Sequence, residues 1–480
     1  MAERPNILWI TTDRQRWDTL GCYGNPHVAT PHLDGLAREG MLCERAFSQN
    51  PICSPSRASF LTGRYPRTTR LTRNGQAIPP DERLISRLLA DAGYMCGHGG
   101  KLHLAPGDPR ITQWCERRID DGYAVMEWSL HPPGPPVNAY TAWLIEHGIE
   151  LTREPVDGSP YVSFGLPAES SNSGWTAQRA INFITGSAGL DRPWFFTCSF
   201  EDPHNPFDPP RELFERYLQR LDEVPLPRYT PGELDNKPVF QRTDRAGVWG
   251  GGKGHFAAEQ MDDRDHRMIR AAYWAKIDLV DSQVGRVLEA LRASGQAENT
   301  LILFTADHGE MLGDHGIYFQ GCYFYPEMIQ VPLIMHFPGR VNTGRFPGLV
   351  ELTDLAPTVL DAAGLERYPG MQGKSLWPVL TGETAEHRED IYSEYYQSIP
   401  GGYRMHGGAH ATHLRTDRYA LTAAHNLGTG ELYDLQRDPG EVENRWDDSA
   451  YTAIKADLLA RLCARMAETI DPLPPVEGGF

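Results

Sequence analysis

Five short stretches of this sequence carry side chains able to do chemistry. Cys53-Ser54-Pro55-Ser56-Arg57 sets a thiol just ahead of a proline that opens a helix, and a helix N-terminus favours an anion. Gly99-Gly100-Lys101-Leu102-His103-Leu104 spaces an ammonium and an imidazole two residues apart, so that along an extended chain both point the same way. Asp202-Pro203-His204-Asn205-Pro206-Phe207 places a histidine between prolines that fix the backbone. Asp13, in Asp13-Arg14-Gln15-Arg16, and Asp307, in Thr305-Ala306-Asp307-His308-Gly309, each stand just past an apolar run. Such a set suits attack on an anionic centre, which needs a nucleophile, cations for the oxyanion and groups that move protons.

The elements that must position these residues are legible from periodicity. Pro5 to Thr12, Trp194 to Phe200 and Thr300 to Thr305 read as buried strands. A helix opens at Pro31 with Thr30 as N-cap and ends at Gly40; a second runs from Pro55 to Gly63; a third covers Glu82 to Ala92, with Leu84, Leu88 and Leu89 inward. The strongest helix spans Asp263 to Ala293, where Ile277, Val280, Val284, Leu288 and Leu291 recur at helical spacing. Alternating helices and wholly apolar strands predict an α/β fold, a large mixed, mainly parallel sheet with helices on both faces. Ligands bind such sheets beyond the carboxyl ends of the strands, so Asp13 and Asp307 should share one edge. Near 375–390 the composition changes. Short strands around Asp390–Tyr395, Leu414–Leu421 and Leu432–Leu435, then a helix over 450–467, predict a smaller C-terminal antiparallel sheet with a packed helix. The expected division is a catalytic domain over 1–380 and an α+β subdomain over 381–480. The irregular stretches 117–175 and 203–260, including the proline run at 131–136 and the glycines 250–252, are expected to form substrate walls or subunit contacts.

Bulk properties narrow the partners. The 480 residues carry a net charge of −17, which argues against nucleic acid and anionic membranes; an anionic substrate must be drawn in by local positive charge. No run is apolar enough to span a bilayer and no export signal is visible, so a cytoplasmic location is expected. The eight cysteines, Cys22, Cys43, Cys53, Cys96, Cys115, Cys198, Cys322 and Cys463, form no C-x-x-C pair. Apart from Cys53 they read as small buried hydrophobes.

Cys53-Ser54-Pro55-Ser56-Arg57, continuing to Leu61-Thr62-Gly63-Arg64, resembles the signature of the type I sulfatases of the alkaline phosphatase superfamily, and the other stretches resemble that family's motifs in order. The resemblance implies that Cys53 is oxidised to formylglycine by a formylglycine-generating or anaerobic maturation enzyme. The hydrated aldehyde would attack sulfur, form a covalent sulfo-enzyme and expel sulfate as the aldehyde reforms. It implies that Arg57 holds the diol and the metal-bound oxygens, that Lys101 contacts sulfate and diol, and that His103 is the base that collapses the intermediate. His204 would bind sulfate and protonate the leaving group. Asp13, Asp307 and His308 would ligate a divalent metal, Ca²⁺ or alternatively Mn²⁺ or Mg²⁺. Asp314 and His315 would fix the loop, with Glu310 beside the site or solvated. Arg64 would be structural or support the residues that contact the substrate. The partner is a small-molecule sulfate ester, and a homo-oligomer is allowed for.

Two positions depart from the family pattern. Arg14 stands where a second carboxylate is usual, and a guanidinium cannot ligate a cation. Gln15 could take the ligand place, the metal could bind weakly, or Arg14 could contact sulfate directly. Gln320 stands where many sulfatases have a lysine, and glutamine has no proton to give, so leaving-group activation would rest on His204. The leading reading is hydrolysis of an aryl or alkyl sulfate. A phosphonate monoester or phosphodiester hydrolase with the same nucleophile is the second, and a silent sulfatase-like binding protein the third.

Overall fold

The apolar run after Pro5 is strand β1 (Asn6–Asp13), whose side chains are buried on both faces. Leu8 and Ile10 pack into one core with Phe196, Phe304 and the long helix Asp263–Ala293, while Ile7 and Trp9 pack into another with Phe195, Leu303 and the helix Cys53–Thr62. A strand so placed must be apolar throughout. The computed structural model describes residues 4–107, 115–130, 138–247, 256–396 and 409–474. The proline run at 131–136 and the glycines 250–252 lie outside them.

The remaining strands are β2 (Met41–Phe47), β3 (Met95–Gly100), β4 (Val125–Trp128), the two-residue pair β5 (Glu154–Pro155) and β6 (Ser163–Phe164), β7 (Trp194–Pro203), β8 (Thr300–Ala306), β9 (Gln330–His336) and β10 (Gly344–Glu351). Seven of these join β1 in one sheet, in the order β10-β2-β9-β8-β1-β7-β3-β4. β9 alone runs against its two neighbours; the other pairings are parallel. A mixed, mainly parallel sheet with helices on both faces is therefore what forms. Beyond it, β11 (Asp390–Tyr396), β12 (His410–Thr416), β13 (Tyr419–Ala424) and β14 (Thr429–Asp434) make an antiparallel sheet in sequence order. The C-terminal helix Thr452–Glu468 packs on it through Leu458 and Leu462. No helix among the described residues is long and apolar enough to cross a membrane.

The parallel register decides where the chemistry collects. Thr12 pairs with Ala306 and Gly100 with Ser199, so β1, β8, β7 and β3 end at one edge. The chain leaves that edge through Asp13, Asp307, His204 and Lys101, the carboxyl end at which open parallel sheets bind their ligands.

Two helix boundaries and one cap differ from the sequence expectation. The helix after Gly40's neighbourhood begins at Cys53 rather than Pro55. The predicted helix over 82–92 contracts to Ile85–Asp91 because Leu84 is extended and Glu82 is drawn into ion pairs with Arg64 and Arg70; Leu88 is only half-buried. Thr30 does not cap the helix Pro31–Glu39 with its side chain. Its hydroxyl accepts from the Gly21 N–H, and the first-turn N–H groups of His32 and Leu33 donate to Asp281 of the long helix, a cap supplied in trans. The long helix itself runs over Asp263–Ala293 as expected, opened by a reciprocal Asp262–Asp265 capping box.

Gly100 closes β3 with φ 104°, and a Cβ there would meet the Ser199 carbonyl oxygen at 1.9 Å. Gly100→Ala is expected to destabilise the protein by at least about 3 kcal/mol and to lower its thermal midpoint. Gly186→Ala, at a helix end with nothing within 4 Å of the added carbon, should shift stability by less than about 1 kcal/mol. Calorimetry of the two variants checks the contrast.

Candidate active site

The helix Cys53–Thr62 starts where Ile52, extended and without a side-chain oxygen, cannot cap it. The Ser54 N–H donates instead to Asn74 Oδ1 at 2.9 Å. From this anchored start each motif residue makes a distinct contact. Cys53 Sγ lies 3.2 Å from His308 Nε2, 3.2 Å from Gln320 Oε1 and 3.7 Å from Asp13 Oδ1. Ser56 Oγ donates to the Asp307 carbonyl oxygen at 2.5 Å and thereby ties the helix to the end of β8. One turn on from Cys53, the Arg57 guanidinium spans the gap between strands. Its Nε donates to Asp307 Oδ2 at 2.8 Å and its Nη2 to Asp13 Oδ2 at 3.2 Å. Its Nη1 donates to the Lys101 carbonyl and to Ser199 Oγ. Arg57 thus holds the carboxylates and the turn after β3.

Asp13 and Asp307 are both fully buried, and their charges are met by Arg57 and by Lys101, whose Nζ contacts Asp13 Oδ2. Buried carboxylates need such partners, because an unpaired charge in a dry site is costly. Cys53 responds to the same surroundings. Burial, reinforced by Asp13, pushes its thiol up to about 12, so the helix N-terminus does not make a thiolate of it.

Asp13, Cys53, Asp307 and His308 each offer a donor atom, and these atoms lie within 4.8 Å of one another. The imidazole is set for this. His308 Nδ1 faces the Gly309 carbonyl oxygen at 2.8 Å, so it carries the proton and leaves the Nε2 lone pair on the Cys53 side. Burial lowers the His308 pKa and keeps the ring neutral despite Asp307. Two carboxylates and one neutral imidazole fit a divalent cation that accepts both oxygen and nitrogen.

Arg14 adopts φ 61°, and its backbone N–H donates to Asp307 Oδ1 at 2.9 Å. Nη1 donates to Glu310 Oε2 at 3.2 Å and to Asn205 Oδ1 at 3.0 Å, with the group over the Phe319 ring. Burial opposes the charge of Arg14, but Glu310 with Cys53 and Asp13 outweighs it and raises its pKa. Glu310 is 1% exposed, so it is the counter-charge of Arg14 and not a solvated side chain. Gln15 turns its Nε2 to Thr19 Oγ1.

Lys101 and His103 do not share an extended strand. β3 ends at Gly100, and His103 takes φ 59° because a carboxylate holds its backbone: its N–H and that of Leu104 donate to Glu116 at 2.8 and 2.6 Å. Glu116 also accepts from Trp128 Nε1, and burial pushes its carboxyl up to about 7. His204 is buried at the edge of a small pocket that Tyr140, Arg153, Asn205 and Lys276 also line, with Nδ1 facing the Asn205 carbonyl at 2.5 Å. Asp314 accepts from Arg16 and Arg270, and His315 bonds Glu233 and stacks on Tyr325, so both fix their loop. Arg64 pairs with Glu82 and Asp471 and makes no contact with Cys53. Sequence reasoning missed Asn74, Glu116, Asn205 and Ser199. None of them carries a local signal; each acts through a contact with a distant stretch.

Residues 5–365 match the family model described as Sulfatase, and residues 313–468 match the C-terminal model of N-sulphoglucosamine sulphohydrolase. The chain therefore belongs to the sulfatase family of sulfuric ester hydrolases. It is 27% identical to an arylsulfatase of Clostridium perfringens (strain 13 / Type A), covering 97% of this chain and 95% of that one. It is 29% identical to an uncharacterized sulfatase, YidJ, of Escherichia coli (strain K12), covering 98% and 88%. Among solved structures it resembles a phosphonate monoester hydrolase from Silicibacter pomeroyi, with TM-score 0.84, 28% identity and coverage of 98% and 96%.

Removing one partner of a buried ion pair costs about 3–5 kcal/mol, whereas removing both together costs much less. Arg14→Met is therefore expected to destabilise strongly and Arg14→Met/Glu310→Gln to recover most of the loss. Denaturant midpoints of the single and double variants measure this coupling.

Proposed function

We propose that the protein hydrolyses a sulfate monoester with residue 53, converted from cysteine to formylglycine, as the nucleophile. The observation that carries this reading is the convergence on Cys53 of Asp13, Asp307 and His308, with Arg57 and Lys101 alongside. The thiol itself is held protonated at neutral pH, so the unmodified side chain is a poor nucleophile there.

The hydrated aldehyde supplies a hydroxyl aimed at sulfur, and a bound divalent cation supplies Lewis-acid stabilisation of sulfate oxygens. Asp13, Asp307 and the Nε2 of His308 would hold that cation. Arg57 keeps the two carboxylates in register. Lys101, beside Asp13, would offer its ammonium to a sulfate oxygen. His103 would take the proton that frees the product. His204 would give one to the leaving oxygen, as Gln320 donates only hydrogen bonds. Arg14, pinned by Glu310 and Asn205, offers positive charge near the nucleophile without serving as a ligand.

The cavity beside His204 would take the alcohol part. Its cations, Lys276 and Arg153, are paired with Asp202 and Asp208, which favours an uncharged alcohol over one bearing a second sulfate. The likeness to a phosphonate monoester hydrolase favours, as the second reading, phosphonate ester cleavage at the same centre.

Mass spectrometry of the peptide containing residue 53 should find the aldehyde in place of the thiol, and Cys53→Ala should abolish turnover. An aryl sulfate should be cleaved faster than an aryl phosphonate ester with the same leaving group; the reverse order would give the second reading. With Gln320 in place, rates should fall steeply as leaving-group pKa rises. Gln320→Lys should flatten that dependence, measured as the slope of log kcat/KM across substituted phenyl sulfates. Metal analysis of the purified protein is expected to find one divalent ion per chain, depleted in Asp307→Asn.

A further inference from the structure

Lys276 sits in the middle of the long helix, a position where the apolar periodicity leads one to expect only core packing. It is 4% exposed, and its ammonium reaches across to the turn that follows β7. Nζ donates to the His204 carbonyl oxygen at 2.6 Å and to the Pro206 carbonyl oxygen at 2.8 Å. It also pairs with Asp202 Oδ1 at 2.8 Å and lies 3.4 Å from Asp208 Oδ1. An ammonium has three protons, and four acceptors already surround this one. Lys276 therefore has no donor left for a substrate.

The turn needs such a donor. Pro203 and Pro206 bring no N–H, so the segment is poor in backbone donors while its carbonyls point inward. Buried carbonyls without partners would make the turn unstable and loosely placed. The imidazole of His204 is gripped at its other end, where Nδ1 meets the Asn205 carbonyl. Asn205 in turn receives Arg14 from the nucleophile side. Lys276 binds the carbonyls of residues 204 and 206, one at the histidine itself and one just beyond Asn205. Asp202 is fixed from a second side by the Ser173 hydroxyl at 2.5 Å.

We propose that Lys276 is a positioning residue for His204, holding the 202–208 turn so that the imidazole meets the leaving-group oxygen. The inference rests on the reading of His204 as the group that protonates that oxygen. The catalytic advantage of a positioned proton donor grows as the leaving group becomes poorer, whereas general damage to the fold slows all substrates alike.

The experiment compares Lys276→Gln, Lys276→Arg, His204→Gln and the double variant Lys276→Gln/His204→Gln on a series from 4-nitrophenyl sulfate to phenyl sulfate. His204→Gln is expected to lower kcat/KM about 100-fold more for phenyl sulfate than for 4-nitrophenyl sulfate. Lys276→Gln should shift the balance in the same direction by about 10-fold or more, Lys276→Arg by less, and the double variant should be no steeper than His204→Gln alone. If His204→Gln steepens the series while the Lys276 variants lower every rate equally, the positioning role is overturned and the His204 reading stands. If His204→Gln itself leaves the series unchanged, the His204 reading fails and takes the positioning role with it. Should Lys276→Gln not fold, Asp202→Asn/Lys276→Gln removes the ion pair as a unit and carries the same comparison.

Discussion

Two buried carboxylates from different strands repel one another, and the Arg57 guanidinium is what lets Asp13 and Asp307 stand side by side. In a site with little water their repulsion is weakly screened, so the bridge between them has large leverage on the geometry. Arg57 can make it because it lies one turn into a helix whose first residue is Cys53. The same fork reaches the Lys101 carbonyl just past β3 and the Ser199 hydroxyl within β7. Four neighbouring strands are thus referred to one planar group on the helix that Cys53 opens. A lysine at position 57 could not do this, since its charge has no fork to span two carboxylates and two further acceptors.

The charges close around that bridge. Asp13, Asp307 and Glu310 are balanced by Arg57, Lys101 and Arg14, three acids against three bases, with His308 and Cys53 neutral. A divalent cation would leave the centre net positive, which suits an anionic ester in a protein whose overall charge is −17. The attraction that a negative molecule needs for a negative substrate is built locally and kept away from solvent, where salt would screen it.

Arg14 is the clearest departure and the structure gives it a coherent physical place. A guanidinium among metal-ligating groups would be intolerable if it pointed at the cation. The left-handed backbone sends its N–H to Asp307, and Glu310, 296 positions along the chain, neutralises its buried charge. The position changes what it contributes, from a ligand to a backbone donor for Asp307 and an anchor for Asn205.

Much of this was legible in the sequence. The apolar strands ending at Asp13 and Asp307 and the long helix followed from periodicity and residue type, because burial on both faces and helical packing leave patterns readable within a dozen residues; the order of the motifs came from the resemblance to the sulfatases. The mainly parallel sheet with helices on both faces and the separate antiparallel sheet were expected and are present. What the sequence could not contain is who meets whom. Asn74 receives the Ser54 N–H at the start of the helix Cys53–Thr62, and the cap on the first helix comes from Asp281. Glu310 is the partner of Arg14, Glu116 bends the chain at His103, and Lys276 grips the turn at His204. Each is a single polar side chain meeting a backbone or a charge far away in sequence, and such a contact has no period and no local composition. The residue types that could do the chemistry were set by the sequence alone. Their joint placement was decided by the register of the parallel strands, which brings their ends to one edge, and by the long-range pairing that buried charges require.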